Sequence, residues 1–166
     1  RKLKAEFPVS VGLVLQAYMR RTLSDLEKMT DMNSESAPLN FRLCKGIYVE
    51  PASIAYKGYQ EVRDNYLKVL DFILKNKMYV GIATHDKYLV DEAYKLLDKY
   101  RVPHEMHEFQ MLYGVTPELR NTVIKNGHLM RVYVPYGKDW FSYATRRLKE
   151  NPKMASQIIK ALFVRG

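Results

Sequence analysis

The sequence predicts an α/β fold in which parallel strands alternate with helices. Three observations carry that reading. The hydrophobic period switches repeatedly between the apolar runs of buried strands and the i, i+3, i+4 spacing of amphipathic helices. The runs recur at even intervals along all 166 residues. Hydrophobic residues make up 47% of the chain, enough for a packed core.

The elements follow in order. Val9-Ser10-Val11-Gly12-Leu13-Val14-Leu15 is short, apolar and rich in β-branched residues, as a buried strand is. Tyr18 to Met32 has helical spacing, and the polar Asn33-Ser34-Glu35-Ser36 reads as a loop. Phe41 to Val49 is a second strand, closed by Glu50-Pro51. Glu61 to Lys75 carries Val62, Tyr66, Val69, Leu70 and Ile73 along one helical stripe. Met78 to Ala83 is a third strand, and Asp86 to Lys99 a helix with Leu89, Ala93, Leu96 and Leu97 on one side. Glu105 to Leu112 is a fourth strand. Thr116-Pro117-Glu118 opens the next helix with an N-cap candidate and a proline at its first position. Asn126-Gly127 ends that helix. His128 to Val134 is a fifth strand, followed by helices over Asp139 to Glu150 and Met154 to Phe163.

The strand runs end near residues 16, 46, 84, 112 and 134, about 30 apart. A (β/α)8 barrel of ~250 residues uses about 31 per unit. The chain therefore has the length of about five of eight barrel units, read as a single domain over residues 1–166. An open, doubly wound five-stranded sheet has the same periodicity. Period alone leaves the choice open.

Composition narrows the function classes. No apolar run approaches the ~18–20 residues of a membrane-spanning helix, and Arg1-Lys2-Leu3-Lys4-Ala5-Glu6 has no signal-peptide core. A lone cysteine, Cys44, excludes an internal disulfide and a Cys-rich zinc site and fits a reducing, cytoplasmic compartment. The balance of 27 Lys+Arg against 18 Asp+Glu gives +9. These charges are scattered among acids with no nucleic-acid-binding spacing, so no nucleic-acid partner is expected. The same surplus suits peripheral docking on an anionic inner membrane face, and equally an ordinary basic surface.

Functional groups of α/β folds gather at the carboxy-terminal ends of strands. Gln16 and Gln110 each place an amide in an otherwise apolar strand end, where it needs partners. Each alone is equally a satisfied core amide; together they suit the donor and acceptor edge of a flat heterocycle. Arg42, Cys44 and Gly46 are expected on one face of the second strand, with Leu43 and Lys45 on the other. An arginine in an apolar strand wants an anion or a polarisable ring, and Gly46 permits a close backbone approach. The alternative for this segment is an edge strand facing solvent. Thr84-His85-Asp86 is a strand-to-helix junction suited to phosphate, although Asp86 is equally a plain N-cap. No Gly-x-Gly-x-x-Gly or Gly-x-x-x-x-Gly-Lys-Ser/Thr fingerprint occurs. His104 and His107 read as loop residues, and no metal is expected. Tyr143, Arg146, Arg147 and Glu150 share one helical face, a fork for a small carboxylate; the bland alternative is a solvated basic face.

Taken in order, Leu15-Gln16-Ala17-Tyr18, Arg42-Leu43-Cys44-Lys45-Gly46-Ile47-Tyr48, Ala83-Thr84-His85, Glu108-Phe109-Gln110-Met111-Leu112, Tyr133-Val134-Pro135-Tyr136-Gly137 and Tyr143 to Asn151 resemble the proline dehydrogenases. These are flavoenzymes built on a distorted (β/α)8 TIM-like barrel. Tyr48-Val49-Glu50-Pro51 is similar to the short monofunctional bacterial members, with Val49 where an aromatic is often found. The resemblance implies hydride transfer from C5 of L-proline to FAD, giving Δ1-pyrroline-5-carboxylate, with reoxidation by a membrane quinone. It implies that Gln16 and Gln110 meet the flavin, that Arg42 sits by its reactive region as the catalytic residue, and that Lys45, Gly46 and Ile47 line the cofactor. Thr84 and His85 would hold the adenosine-diphosphate end. Arg146 and Arg147 would pair with the proline carboxylate, and Leu112, Tyr133 and Tyr143 would pack around its ring. The five units match β4 to α8 of the family barrel. The first three units, which supply a lysine and an aspartate, have no counterpart, so the chain is expected to be a fragment or one part of a larger protein. Two other readings use the same strand ends: a phosphate-ligand barrel enzyme without flavin, and a non-catalytic barrel piece whose open edges are covered in a homo-oligomer.

Overall fold

Five strands form one sheet in the computed structural model, which describes residues 1–134, 136 and 137: β1 Gly12–Gln16, β2 Asn40–Cys44, β3 Tyr79–Ala83, β4 His107–Leu112 and β5 Met130–Tyr133. Every pairing is parallel, and the spatial order is the chain order, β1-β2-β3-β4-β5. A doubly wound sheet reverses its order part-way, so that alternative is excluded. Sequential parallel order is the order of a (β/α)8 barrel.

The helices are α1 Lys2–Glu6, α2 Thr22–Glu27, α3 Tyr59–Lys75, α4 Lys87–Tyr100 and α5 Pro117–Lys125, with short 3₁₀ turns at Thr30–Met32 and His104–Met106. Right-handed crossovers put successive helices on one side of the sheet. The core lies there. Tyr66, Val69, Leu70 and Ile73 of α3 and Leu89, Val90, Ala93 and Leu97 of α4 pack with Leu15, Phe41, Leu43, Val80, Ile82, Phe109 and Met111 from the strands. Each large apolar side chain buried this way contributes about 1.5–3 kcal/mol. The opposite face is open: Val14 is 60% exposed and Tyr133 47%.

Several boundaries differ from the periodic reading. Val9 lies outside β1 and is exposed, and α1 precedes it. Tyr18 to Met32 is not one helix, because the backbone of its first residues is taken elsewhere. Ala17 N–H donates to Cys44 O at 2.8 Å, Tyr18 N–H to Lys45 O at 2.8 Å, and Tyr56 N–H to Tyr18 O at 2.7 Å. A bridge between Met19 and Ala55 completes this clasp, so the helix starts only at Thr22. The second strand stops at Cys44 rather than Val49, since Gly46 turns the chain at φ +99°. The fourth strand starts at His107, which is buried and is therefore not a loop residue. The fifth is confined to Met130–Tyr133. The helices expected over Asp139 to Glu150 and Met154 to Phe163 lie outside the described residues.

Candidate cofactor and substrate site

Residues aligned across neighbouring parallel strands point to the same face of the sheet. One rung of the open face carries Val14, Arg42, Gly81 and Glu108; the next carries Gln16, Cys44, Ala83, Gln110 and Arg131. A third, at the strand ends, sets Leu112 opposite Tyr133. The centre of this surface is built from small side chains, Cys44, Gly81 and Ala83, and polar groups stand on either side. The smallness is enforced at Gly81, where an added Cβ would run into the Gln110 amide. Gln16 and Gln110, expected to face one mouth, do lie on one rung. Arg42 and Cys44 share the face as expected, and Arg42 is exposed and makes no ion pair among the described residues.

The rung face also holds an ion pair that periodicity did not single out. Glu108, 2% exposed, takes two hydrogen bonds from Arg131, Nε to Oε1 at 2.6 Å and Nη2 to Oε2 at 2.9 Å. The Gln110 amide donates to Oε1 at 2.6 Å. Burial pushes the Glu108 carboxyl up, but the hydrogen bonds from Arg131 and Gln110 outweigh it and hold the group below its ordinary value. Gln110 is thereby fixed in orientation, with one N–H of its NH2 on Glu108 Oε1 and its carbonyl oxygen turned away as an acceptor. A charged residue in an apolar strand, two positions before a glutamine, was the available signal. Glu108→Gln is expected to weaken the chain by about 1.5–3 kcal/mol, the worth of hydrogen bonds to a charged group. The urea midpoint checks this; an unchanged midpoint would remove Glu108 as the anchor of Gln110.

Gly46 does not continue β2. Its close approach is to a side chain of this protein: a Cβ there would collide with the ring of Tyr18. The turn after β2 carries Lys45 and Ile47, both half-buried. Lys45 Nζ is 3.2 Å from Asp86 Oδ2 and stands 5.0 Å from the Tyr59 ring centre. Asp86 is more than an N-cap. Its side chain makes no cap bond and instead accepts from Arg63, Nε at 2.9 Å and Nη2 at 2.7 Å, and from Tyr59 Oη at 2.7 Å. Burial works against this charge, yet the bonds from Arg63, Tyr59 and Lys45 hold the carboxyl far below the usual range.

Thr84 and His85 sit at the β3 to α4 junction, beside this basic cluster. The Thr84 hydroxyl accepts from the Asp86 backbone N–H at 3.1 Å and keeps its own proton to donate. His85 Nε2 accepts from the Leu112 N–H at 2.9 Å, so the ring proton of the neutral form lies on Nδ1. Burial first, and Lys45 second, push the His85 pKa down to about 4, which keeps the imidazole uncharged at neutral pH. Its ring ties the ends of β3 and β4 together. Tyr143, Arg146 and Arg147 lie outside the described residues.

A flat, small-residue surface bordered by amides, an exposed arginine and a basic junction at the strand ends can receive a planar ring joined to an anionic tail. Comparisons with known proteins give the family. The sequence model of the family described as Proline dehydrogenase matches residues 2–160. The chain belongs to the proline dehydrogenase family. It is 38% identical over 162 residues to proline dehydrogenase 1 of Bacillus subtilis subsp. natto, covering 98% of this chain and 52% of that protein. Against the proline dehydrogenase of Deinococcus radiodurans it is 36% identical over 163 residues, covering 98% and 51%. The chain thus spans about half the length of the curated proline dehydrogenases it matches. Among solved structures, proline utilization A from Bdellovibrio bacteriovorus, inactivated by N-propargylglycine, superposes with a TM-score of 0.80 at 28% identity, over 97% of this chain and 18% of that one. Proline utilization A from Corynebacterium freiburgense gives 0.74 at 26% identity, over 96% and 19%. The sheet is therefore that of the proline dehydrogenase barrel. Among the described residues, no helix is long and apolar enough to cross a membrane.

Proposed function

We propose that this chain carries the carboxy-terminal part of a flavin-dependent site that oxidises L-proline to Δ1-pyrroline-5-carboxylate, the first step of proline catabolism. The observation that supports it most is the open rung face, where Gln16, Arg42 and Gln110 border Cys44, Gly81 and Ala83. FAD fits that surface: small residues leave room for a planar ring, and the two amides offer both donor and acceptor edges. When bound, it supplies a two-electron acceptor for the hydride.

The chain's own groups bind and orient. Arg42 contributes a fixed positive charge toward the reacting region, where it favours developing negative charge. Lys45, Gly46 and Ile47 line the cofactor, with Lys45 and the Thr84 hydroxyl facing its phosphates and neutral His85 holding the adjoining strand ends. Leu112 and Tyr133 pack around the proline ring with Tyr143 and exclude water. Arg146 and Arg147 pair with the substrate carboxylate through charge-assisted hydrogen bonds worth about 1.5–3 kcal/mol each. The reading further includes a cytoplasmic protein peripheral to the inner membrane face, a membrane quinone as final oxidant, and a homo-oligomer that shields the sheet edges.

The test is the visible absorption spectrum before and after anaerobic L-proline. A flavin band that bleaches is the expected result; a protein that stays colourless after added FAD would overturn the reading in favour of a non-catalytic barrel piece. In an active preparation, Arg146→Met or Arg147→Met should raise KM for proline by roughly ten- to a hundredfold. An unchanged KM would remove the carboxylate role.

A further inference from the structure

A second cluster lies at the other end of the sheet. His104 sits in the 3₁₀ turn before β4, His107 opens β4, and His128 follows Gly127 on the way into β5. One ring nitrogen from each of the three lies within 4.8 Å of the others. His107 Nε2 and His128 Nδ1 are 3.0 Å apart. His107 Nδ1 is 3.0 Å from the Pro103 carbonyl oxygen, which can only accept, so Nδ1 bears the proton and Nε2 presents its lone pair. A backbone carbonyl on the far ring nitrogen is the outer-shell partner that fixes the tautomer of metal-binding histidines.

The imidazoles are held by the core rather than by the turn alone. The His128 ring stacks on Tyr94 with centroids 4.8 Å apart and meets Phe109 edge-on at 5.3 Å. His107 meets Phe109 edge-on at 6.3 Å.

We propose that His104, His107 and His128 form a binding site for a divalent transition-metal cation, best matched by Zn2+, with solvent completing the coordination. Two zinc-bound nitrogens at about 2.0–2.1 Å in a tetrahedral site stand about 3.3 Å apart. The pair at 3.0 Å is a hydrogen bond in which His128 Nδ1–H donates to His107 Nε2. Metal binding therefore needs the neutral His128 ring to carry its proton on Nε2 instead, and the two nitrogens to open by only a few tenths of an ångström. Imidazoles without thiolates select zinc, copper(II) or nickel(II) over copper(I), and over calcium and magnesium, which prefer oxygen ligands. The site lies at the amino-terminal ends of β4 and β5, away from the strand ends where barrel chemistry occurs. Its role is a bolt between two strand starts that are distant in sequence.

The experiment is a titration of the full chain with Co2+, read by visible ligand-field absorption, then displacement by Zn2+, with thermal unfolding followed in parallel. A tetrahedral-type Co2+ band that Zn2+ abolishes, together with a Zn2+-dependent rise in Tm, is expected. His104→Ala is the decisive variant, because His104 is exposed and its removal leaves buried His107 and half-buried His128 packed. It should keep the metal-free Tm and lose affinity at least ~100-fold, since even an outer-shell change costs 10–100-fold. Absence of the band in the parent chain, or equal affinity in the parent and His104→Ala, overturns the proposal.

Discussion

Asp86→Ala should destabilise the protein by about 3–5 kcal/mol, the cost of removing one partner from a buried ion pair. The side chain of Asp86 is 4% exposed, and its partners Arg63 and Lys45 are 21% and 30% exposed. Arg63 cannot simply swing into water, because its guanidinium lies 4.4 Å from the Tyr59 ring centre and 4.7 Å from that of Tyr88. Truncation therefore leaves two cations crowded at the start of α4 with no counter-charge. The urea midpoint measures the loss, and Asp86→Asn, which keeps the volume, separates charge from packing. A pH dependence follows from the same carboxyl. Its folded pKa is held down by Arg63, Tyr59 and Lys45 against burial, so its contribution is present above the unfolded value of about 3.9 and is lost as pH falls below it. Between pH 5 and 2 the parent should lose stability more steeply than Asp86→Asn. Equal slopes, or an alanine variant as stable as the parent at pH 7, would contradict this account.

Gly46→Ala should cost about 2–6 kcal/mol. Part is backbone: φ is +99°, a region that costs a non-glycine residue about 1–3 kcal/mol. The rest is overpacking, ~1–3 kcal/mol, because the new Cβ meets the face of Tyr18, a ring only 7% exposed. The displaced turn carries Lys45 and Ile47, so affinity for added FAD should fall with stability. A double-mutant cycle with Tyr18→Ala apportions the two parts. Coupling of at least ~1 kcal/mol is expected from residues in contact, and strict additivity would show that the ring is not the obstacle.

Periodicity carried the architecture well wherever an element packs by one regular stripe. Leu89, Ala93 and Leu97 announce α4, and all three are buried. It failed where distant backbone claims a segment, as at Tyr18, whose carbonyl and amide serve Tyr56 and Lys45 rather than a helical turn. It could not separate a barrel from a doubly wound sheet, because strand order is set by how crossovers lie and not by what any one strand contains. For the site, Gln110 was legible as a polar residue closing an apolar strand. Its partner set was not, since Glu108 meets Arg131 only through the register of β4 on β5. His128 escaped notice beside His104 and His107 for the same reason: a separation in sequence that the sheet erases.

Strand order also governs how this chain can assemble as it is made. β2 pairs with β1, β3 with β2, β4 with β3 and β5 with β4. Among the described residues, no strand waits for a partner that is synthesised after its successor. As these strands emerge from the ribosome at about 5–20 residues per second, each finished unit becomes the template on which the next one docks. Growth is then stepwise and local, which keeps loop-closure entropy low at every stage. The growing edge is the vulnerable part. A pause after β4, for example, would hold the bonding groups intended for Met130–Tyr133 exposed to other chains, so translation speed over that stretch becomes a determinant of yield.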